Sequence, residues 1–153
     1  MNRPLLHFAV LALPLLGLGA SWLTTDHASR QGQEWEVPVQ GYDPRDFLQG
    51  HYVMFQYDWP GLEREAAGPA QALCVEGRPP RIDRVRLGAG PCQYPVSVET
   101  GLWGGRLYTS QDAALRMQQQ LADPKLQGVL RFRLRPDGRI VPLGLTFRPR
   151  PAS

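Results

Sequence analysis

The chain is poor in the residues from which catalytic and metal-binding constellations are usually built. It has two cysteines, and its three histidines stand far apart at His7, His27 and His51. With no CxxC pair and no closely spaced histidines, no metal site is expected. GxSxG, GxGxxG and GxxxxGK[ST] motifs are all absent. The glycine-rich stretch Gly101-Leu102-Trp103-Gly104-Gly105 lacks the following lysine and helix that a phosphate loop needs, so no cofactor is expected. Lysine is nearly missing too: Lys125 stands alone against sixteen arginines. That ratio reads as codon bias rather than a nucleic-acid surface, because acids and bases interleave as far as residue 123. No nucleic-acid partner is expected. Only beyond Lys125 does one sign prevail, where Arg131, Arg133, Arg135, Arg139, Arg148 and Arg150 face Asp137 alone.

Glycine and proline, by contrast, are plentiful. There are 16 Gly and 15 Pro in 153 residues, which favours short strands and many turns over long helices. The length suits one ordinary domain, and no repeat period is visible.

The one long apolar run is PLLHFAVLALPLLGLGASWL, from Pro4 to Leu23. A helix of that length rises roughly 30 Å, the thickness of a bilayer core. Arg3 precedes it and Trp22 closes it, as charge and interfacial preference ask of a membrane span with its N-terminus in the cytoplasm. The expectation is a single-pass anchor in the inner (cytoplasmic) membrane, with the remaining chain on the periplasmic side. A cleaved export signal is the alternative, with Gly19-Ala20-Ser21 or Leu18-Gly19-Ala20 as the cleavage site. Outside the cytoplasm Cys74 and Cys92 read as a disulfide, two free structural thiols being the other reading. The expected organisation is an anchor over 1–23, a polar spacer over 24–34 and a domain over 35–148.

Within that domain Trp35, Val37 and Val39 alternate with Glu36 and Pro38 and predict a strand, limited by Pro38 to an edge or to the end of a strand. Asp43-Pro44-Arg45-Asp46 reads as a capped helical turn stopped by Gly50, and the following HYVMFQYD as a strand. Further strands are predicted over 70–75, 81–87 and 93–99. A helix is predicted over 111–122, with Thr109 and Asp112 as a capping box or Ser110 as the cap, and Pro124 as its stop. Val129 to Phe147 reads as a hairpin turning at Pro136-Asp137-Gly138, with Leu130, Phe132 and Leu134 on one face and Arg131, Arg133 and Arg135 on the other. The fold class that follows is α+β: an N-terminal transmembrane helix, then a small, mainly antiparallel β domain with one packed helix.

The segment Val39 to Tyr57, VQGYDPRDFLQGHYVMFQY, resembles the GDYxxLxY family of bacterial membrane-anchored proteins. Asp43, Pro44, Arg45, Asp46, Gly50, Tyr52 and Tyr57 match its motif; His51 stands where the family has Asp, and Phe55 where it has Leu. The resemblance implies an anchor, an external domain and other membrane proteins as partners, and it implies no biochemical activity. The expected function is therefore a non-catalytic, partner-binding accessory module. The alternative is an enzyme or small-molecule site around Asp46, His51 and Tyr57, with histidine as the base. The arginine row has two readings as well. Arginines about 7 Å apart on one strand face are either solvated and matched by acids, or turned toward anionic head groups or an acidic partner.

Overall fold

The computed structural model of the chain describes residues 3–41, 52–62, 72–88, 90–97 and 101–150, with side chains from residue 12 onward. The chain divides into two compact units, Met1–Gln31 and Gly32–Ser153.

The first unit is one helix, α1 (Arg3–Arg30). It runs without a break through Pro14 and, as far as Arg30, into the stretch expected to be a polar spacer. Local bonds carry it there: Thr24 Oγ1 donates to the Ala20 carbonyl (3.1 Å), and Arg30 pairs with Asp26 one turn back (3.0 Å). Among the described residues no helix is long and apolar enough to cross a membrane, which corrects the expected transmembrane helix. The reason lies in composition. Over 12–30 the leucines are diluted by Gly17, Gly19 and Ser21, and by the polar turn Thr24-Thr25-Asp26-His27.

The second unit is mostly β, so the expected α+β class is corrected as well. Its described residues hold one eight-stranded sheet and a single helix. The strands are β1 (Gln33–Gly41), β2 (Tyr52–Tyr57), β3 (Leu73–Arg78), β4 (Arg81–Leu87), β5 (Tyr94–Val96), β6 (Gly104–Tyr108), β7 (Leu126–Leu134) and β8 (Ile140–Pro149). The helix α2 (Gln111–Ala122) lies between β6 and β7.

β1 is the spine. One edge pairs along its length with β7, in antiparallel register from Gln33↔Leu134 to Val39↔Gly128. The other edge is shared: Glu36 meets Arg81 of β4 in a parallel bridge, and Val39–Gly41 pair with β2. The sheet forks there. One branch continues β2–β6, the other β4–β3–β5. β8 flanks β7 and approaches β6, which curls the β8–β7–β1–β2–β6 run into a half-barrel.

Pro38 is expected at an edge or at a strand's end and instead sits inside this central strand. Its carbonyl accepts from the Asp58 amide (2.9 Å), while Glu36 two residues earlier donates to the Pro80 carbonyl (2.8 Å). A strand residue's nitrogen and carbonyl share an edge, so the missing donor falls at the fork, where β2 and β4 diverge and no ladder bond is lost.

Period-two alternation fills the core. Trp35, Val37 and Val39 of β1, Val53, Phe55 and Tyr57 of β2, and Leu130, Phe132 and Leu134 of β7 all point inward. Each large side chain so buried stabilises the fold by roughly 1.5–3 kcal/mol. α2 adds Ala114, Met117 and Leu121. Leu121 lies against Gly128 and Gly41, where a side chain on either glycine would crowd it. The helix has the bounds its periodicity predicts, but Ser110 caps it without a side-chain hydrogen bond, so the capping box does not form.

The β7–β8 turn forms where Pro136-Asp137-Gly138 predicts it. Gly138 has φ +81°, and Asp137 Oδ1 accepts from the Arg139 amide at 3.1 Å. Cys74 and Cys92 are joined, their Cα atoms 5.7 Å apart, tying β3 to the approach to β5.

Candidate functional site

The strand that carries the sequence motif divides its side chains between two environments. Val53, Phe55 and Tyr57 face the core, and Tyr52, Met54 and Gln56 face outward, half-buried. β2 lies between β1 and β6, and its register with β6 sets Tyr52 opposite Tyr108, Met54 opposite Arg106, and Phe55 opposite Gly105.

On the inner side Tyr57 is the centre of an aromatic stack. Its ring lies 4.9 Å from Trp59 at 27° and 5.5 Å from Phe55 at 76°. Trp59 donates its indole N–H to the Leu102 carbonyl at 2.7 Å and meets Phe132 edge-on. Gly105 makes room for this stack: a Cβ there would stand 2.8 Å from the Tyr57 hydroxyl oxygen and 3.0 Å from two Phe55 ring carbons. Burial pushes the Tyr57 phenol above its ordinary value, so it is neutral at any physiological pH. Phe55 and Tyr57 are thus core residues.

On the outer side three side chains form a small aromatic and cationic cluster. Tyr52 and Tyr108 meet edge-to-face with centroids 5.9 Å apart, and the Arg106 guanidinium sits 5.2 Å from the Tyr52 centroid. A cation so placed at an exposed site contributes roughly 0.5–1 kcal/mol and holds the guanidinium over the ring. Tyr108 is 71 % exposed. Tyrosine and arginine are among the residue types enriched at the energetic centres of protein interfaces.

Of the residues singled out from the sequence, the structure brings Tyr52, Phe55 and Tyr57 onto β2, with Tyr52 on the opposite face from the other two. Asp43, Pro44, Arg45, Asp46, Gly50 and His51 lie outside the described residues. Arg106 and Tyr108 were missed because β6 begins with Gly104-Gly105, which reads as a loop. The alternation of Arg106 and Tyr108 about Leu107 was the available signal.

The arginine row is matched by acids of β1 and by one acid of the β7–β8 turn. Arg133 pairs with Glu34 (2.6 Å), Arg135 with Asp137 (2.9 Å) and Arg148 with Glu36 (2.7 Å), while Arg131 stands opposite Glu36 in the ladder. Elsewhere Glu76 accepts from both Arg84 and Arg86, whose hydrogen bonds hold its carboxyl below the usual glutamate range.

Residues 14–88 match the model of the GDYXXLXY protein family. The GDYXXLXY match begins at Pro14 within α1 and runs through β4, so it includes the motif strand. It ends before β6, and the cluster therefore joins Tyr52 from inside the GDYXXLXY match to Arg106 and Tyr108 from beyond it. No curated protein and no solved structure matches the chain.

Proposed function

We propose that the chain is a non-catalytic binding module that works outside the cytoplasm and docks a partner on the outer face of β2 and β6. The observation that carries this reading is the division of β2. The inward motif residues are spent on the core, whereas Tyr52 is held by Arg106 and Tyr108 in a cluster turned to solvent. Tyr108 is exposed well beyond what a large aromatic needs for stability. The Cys74–Cys92 disulfide supports the compartment, because such bonds persist where thiols are not kept reduced. The match over residues 14–88, together with what the family resemblance implies, supports a bacterial envelope as the setting and a membrane protein as the partner.

The test is affinity copurification under mild detergent of the wild-type chain, Tyr108→Ala and Arg106→Glu, all produced in cells that carry the native partner. One protein should accompany the wild type in fixed ratio and be lost from both variants, with circular dichroism unchanged. A partner kept by both variants, or repeated recovery of the chain alone, overturns the reading.

A further inference from the structure

The sheet carries a second surface, assembled by strand register from distant parts of the chain. Residues that are Cα partners line up across neighbouring strands: Arg78 of β3 opposite Arg81 of β4, Arg81 opposite Glu36 of β1, and Glu36 opposite Arg131 of β7. The next partner, on β8, is Gly144, where a Cβ would meet nothing within 4 Å. Directly opposed residues share a face of the sheet. For Glu36 that is the outer face, because Trp35 and Val37 on either side of it are in the core. With strands about 4.8 Å apart, the row from Arg78 to Arg131 is about 14 Å long. The Glu36 amide donates to the Pro80 carbonyl at 2.8 Å, which ties the Arg78-Pro79-Pro80-Arg81 turn to β1.

The row has more cations than the fold matches. Its one carboxylate, Glu36, is already bonded to Arg148 at 2.7 Å. Glu34 is held by Arg133, and Glu76 by Arg84 and Arg86 together. Asp83, which the register shift inserts into β4, is the other carboxylate of the β3–β4 hairpin; set against Arg81, it still leaves Arg78 and Arg131 without one. Arg78, Arg81 and Arg131 are all exposed, and they make no ion pair among the described residues. Arg78 and Arg81 stand opposite each other across the hairpin, an arrangement that like charges disfavour unless an anion lies between them.

Two features select the occupant. The face has no exposed large apolar side chain among the described residues, since those lie on α1, on α2 (Leu115) and on β6 (Tyr108). The buried core of a protein interface is apolar and depleted of charge, whereas a layer of anionic head groups asks only for cations. A straight row about 14 Å long on an open strand face also exceeds the reach of one small anion and suits anions fixed side by side. We infer that this face rests on a bilayer surface of anionic phospholipids, with Arg78, Arg81 and Arg131 turning their guanidinium forks to the head-group phosphates. The contact is peripheral and spans nothing. Of the arginine row expected from the sequence only Arg131 takes part, because Arg133 and Arg135 are held by Glu34 and Asp137. The surface is separate from the Tyr52–Arg106–Tyr108 cluster and does not depend on it.

The test is co-sedimentation of the full chain with vesicles of phosphatidylcholine alone and of phosphatidylcholine mixed with phosphatidylglycerol. Affinity for the anionic vesicles should be at least tenfold higher, an excess that fades as salt is raised. Arg78→Gln/Arg81→Gln/Arg131→Gln should remove most of it, at about fivefold per arginine near an anionic surface. Arg116→Gln/Lys125→Gln/Arg150→Gln, which takes the same charge from residues outside the row, should keep it. So should Tyr108→Ala, which tells failure here apart from failure of the motif-face reading. Binding through the apolar side chains of α1 is common to both vesicles and drops out of the excess. Equal binding to the two vesicles, or equal loss in the two triple variants, overturns the inference. Release by inorganic phosphate or by a glutamate peptide, beyond that by sodium chloride at equal ionic strength, also overturns it and makes the occupant a free phosphate or an acidic protein.

Discussion

Gly105→Ala is the sharpest probe of how the motif strand is packed. Gly105 faces Phe55 across the β2–β6 ladder, and the added methyl carbon would fall 2.8 Å from the Tyr57 hydroxyl and 3.0 Å from Phe55 Cε2 and Cζ. Contacts that short require the rings to move, and they are not free to do so: Tyr57 is stacked on Trp59, which is itself bonded to the Leu102 carbonyl. Overpacking of this kind costs about 1–3 kcal/mol. For a domain of this size each kcal/mol lowers Tm by roughly 3–6 °C. Gly144→Ala is the matched control, because a Cβ there meets nothing within 4 Å. Tyr57→Phe removes the nearest clashing atom, so Gly105→Ala should cost less in that background. A double-mutant cycle by urea denaturation should show a coupling of about 0.5 kcal/mol or more between the two sites. A Gly105→Ala protein as stable as the wild type, or an equal cost in both backgrounds, would refute the packing argument.

Three other outcomes follow from the same structure. Cys92→Ser, or reduction of the wild type, should destabilise the domain by roughly 3 kcal/mol, because the bond closes a loop between residues 18 apart; chemical denaturation with and without reductant measures it. The buried Tyr57 phenol has its folded value raised above the unfolded one, near 10, so its contribution is complete below about pH 10 and is lost as pH rises beyond it. Between pH 10 and 11 the wild type should lose about 1 kcal/mol more than Tyr57→Phe, as seen in denaturation midpoints at the two pH values. Ser110→Ala should cost less than about 0.5 kcal/mol in thermal melts, below the roughly 1 kcal/mol of a working N-cap, because the Ser110 hydroxyl makes no capping bond.

Much of the local structure was legible because it rests on local physics. The helix over 111–122 declared itself through the spacing of Ala114, Met117 and Leu121 and through the stop at Pro124. The β7–β8 hairpin declared itself through alternation on either side of Pro136-Asp137-Gly138. β6 was hidden because Gly104 and Gly105 carry no strand preference of their own. They are glycines because the backbone of β2 lies against Gly104 and the rings of Phe55 and Tyr57 against Gly105, a fact about a partner strand about fifty residues away. Pro38 misled for a related reason. Its place in a central strand depends on where two other strands part, and no window around residue 38 contains them.

The arginine row marks the boundary for charge. The sequence alone determined that Arg131, Arg133 and Arg135 share a strand face, because side chains alternate along any strand. Whether that face is bare or matched was decided by the pairing of β7 with β1, which carries Glu34 and Glu36 across nearly a hundred residues of chain to meet it. The candidate site divides in the same way. Alternation placed Tyr52 opposite in sense to Phe55 and Tyr57, but only the β2–β6 register could bring Arg106 and Tyr108 to it. Period, capping and turn chemistry act over a few residues and are written in the chain. Strand pairing acts between segments of any separation, and its outcome exists only once the sheet has closed.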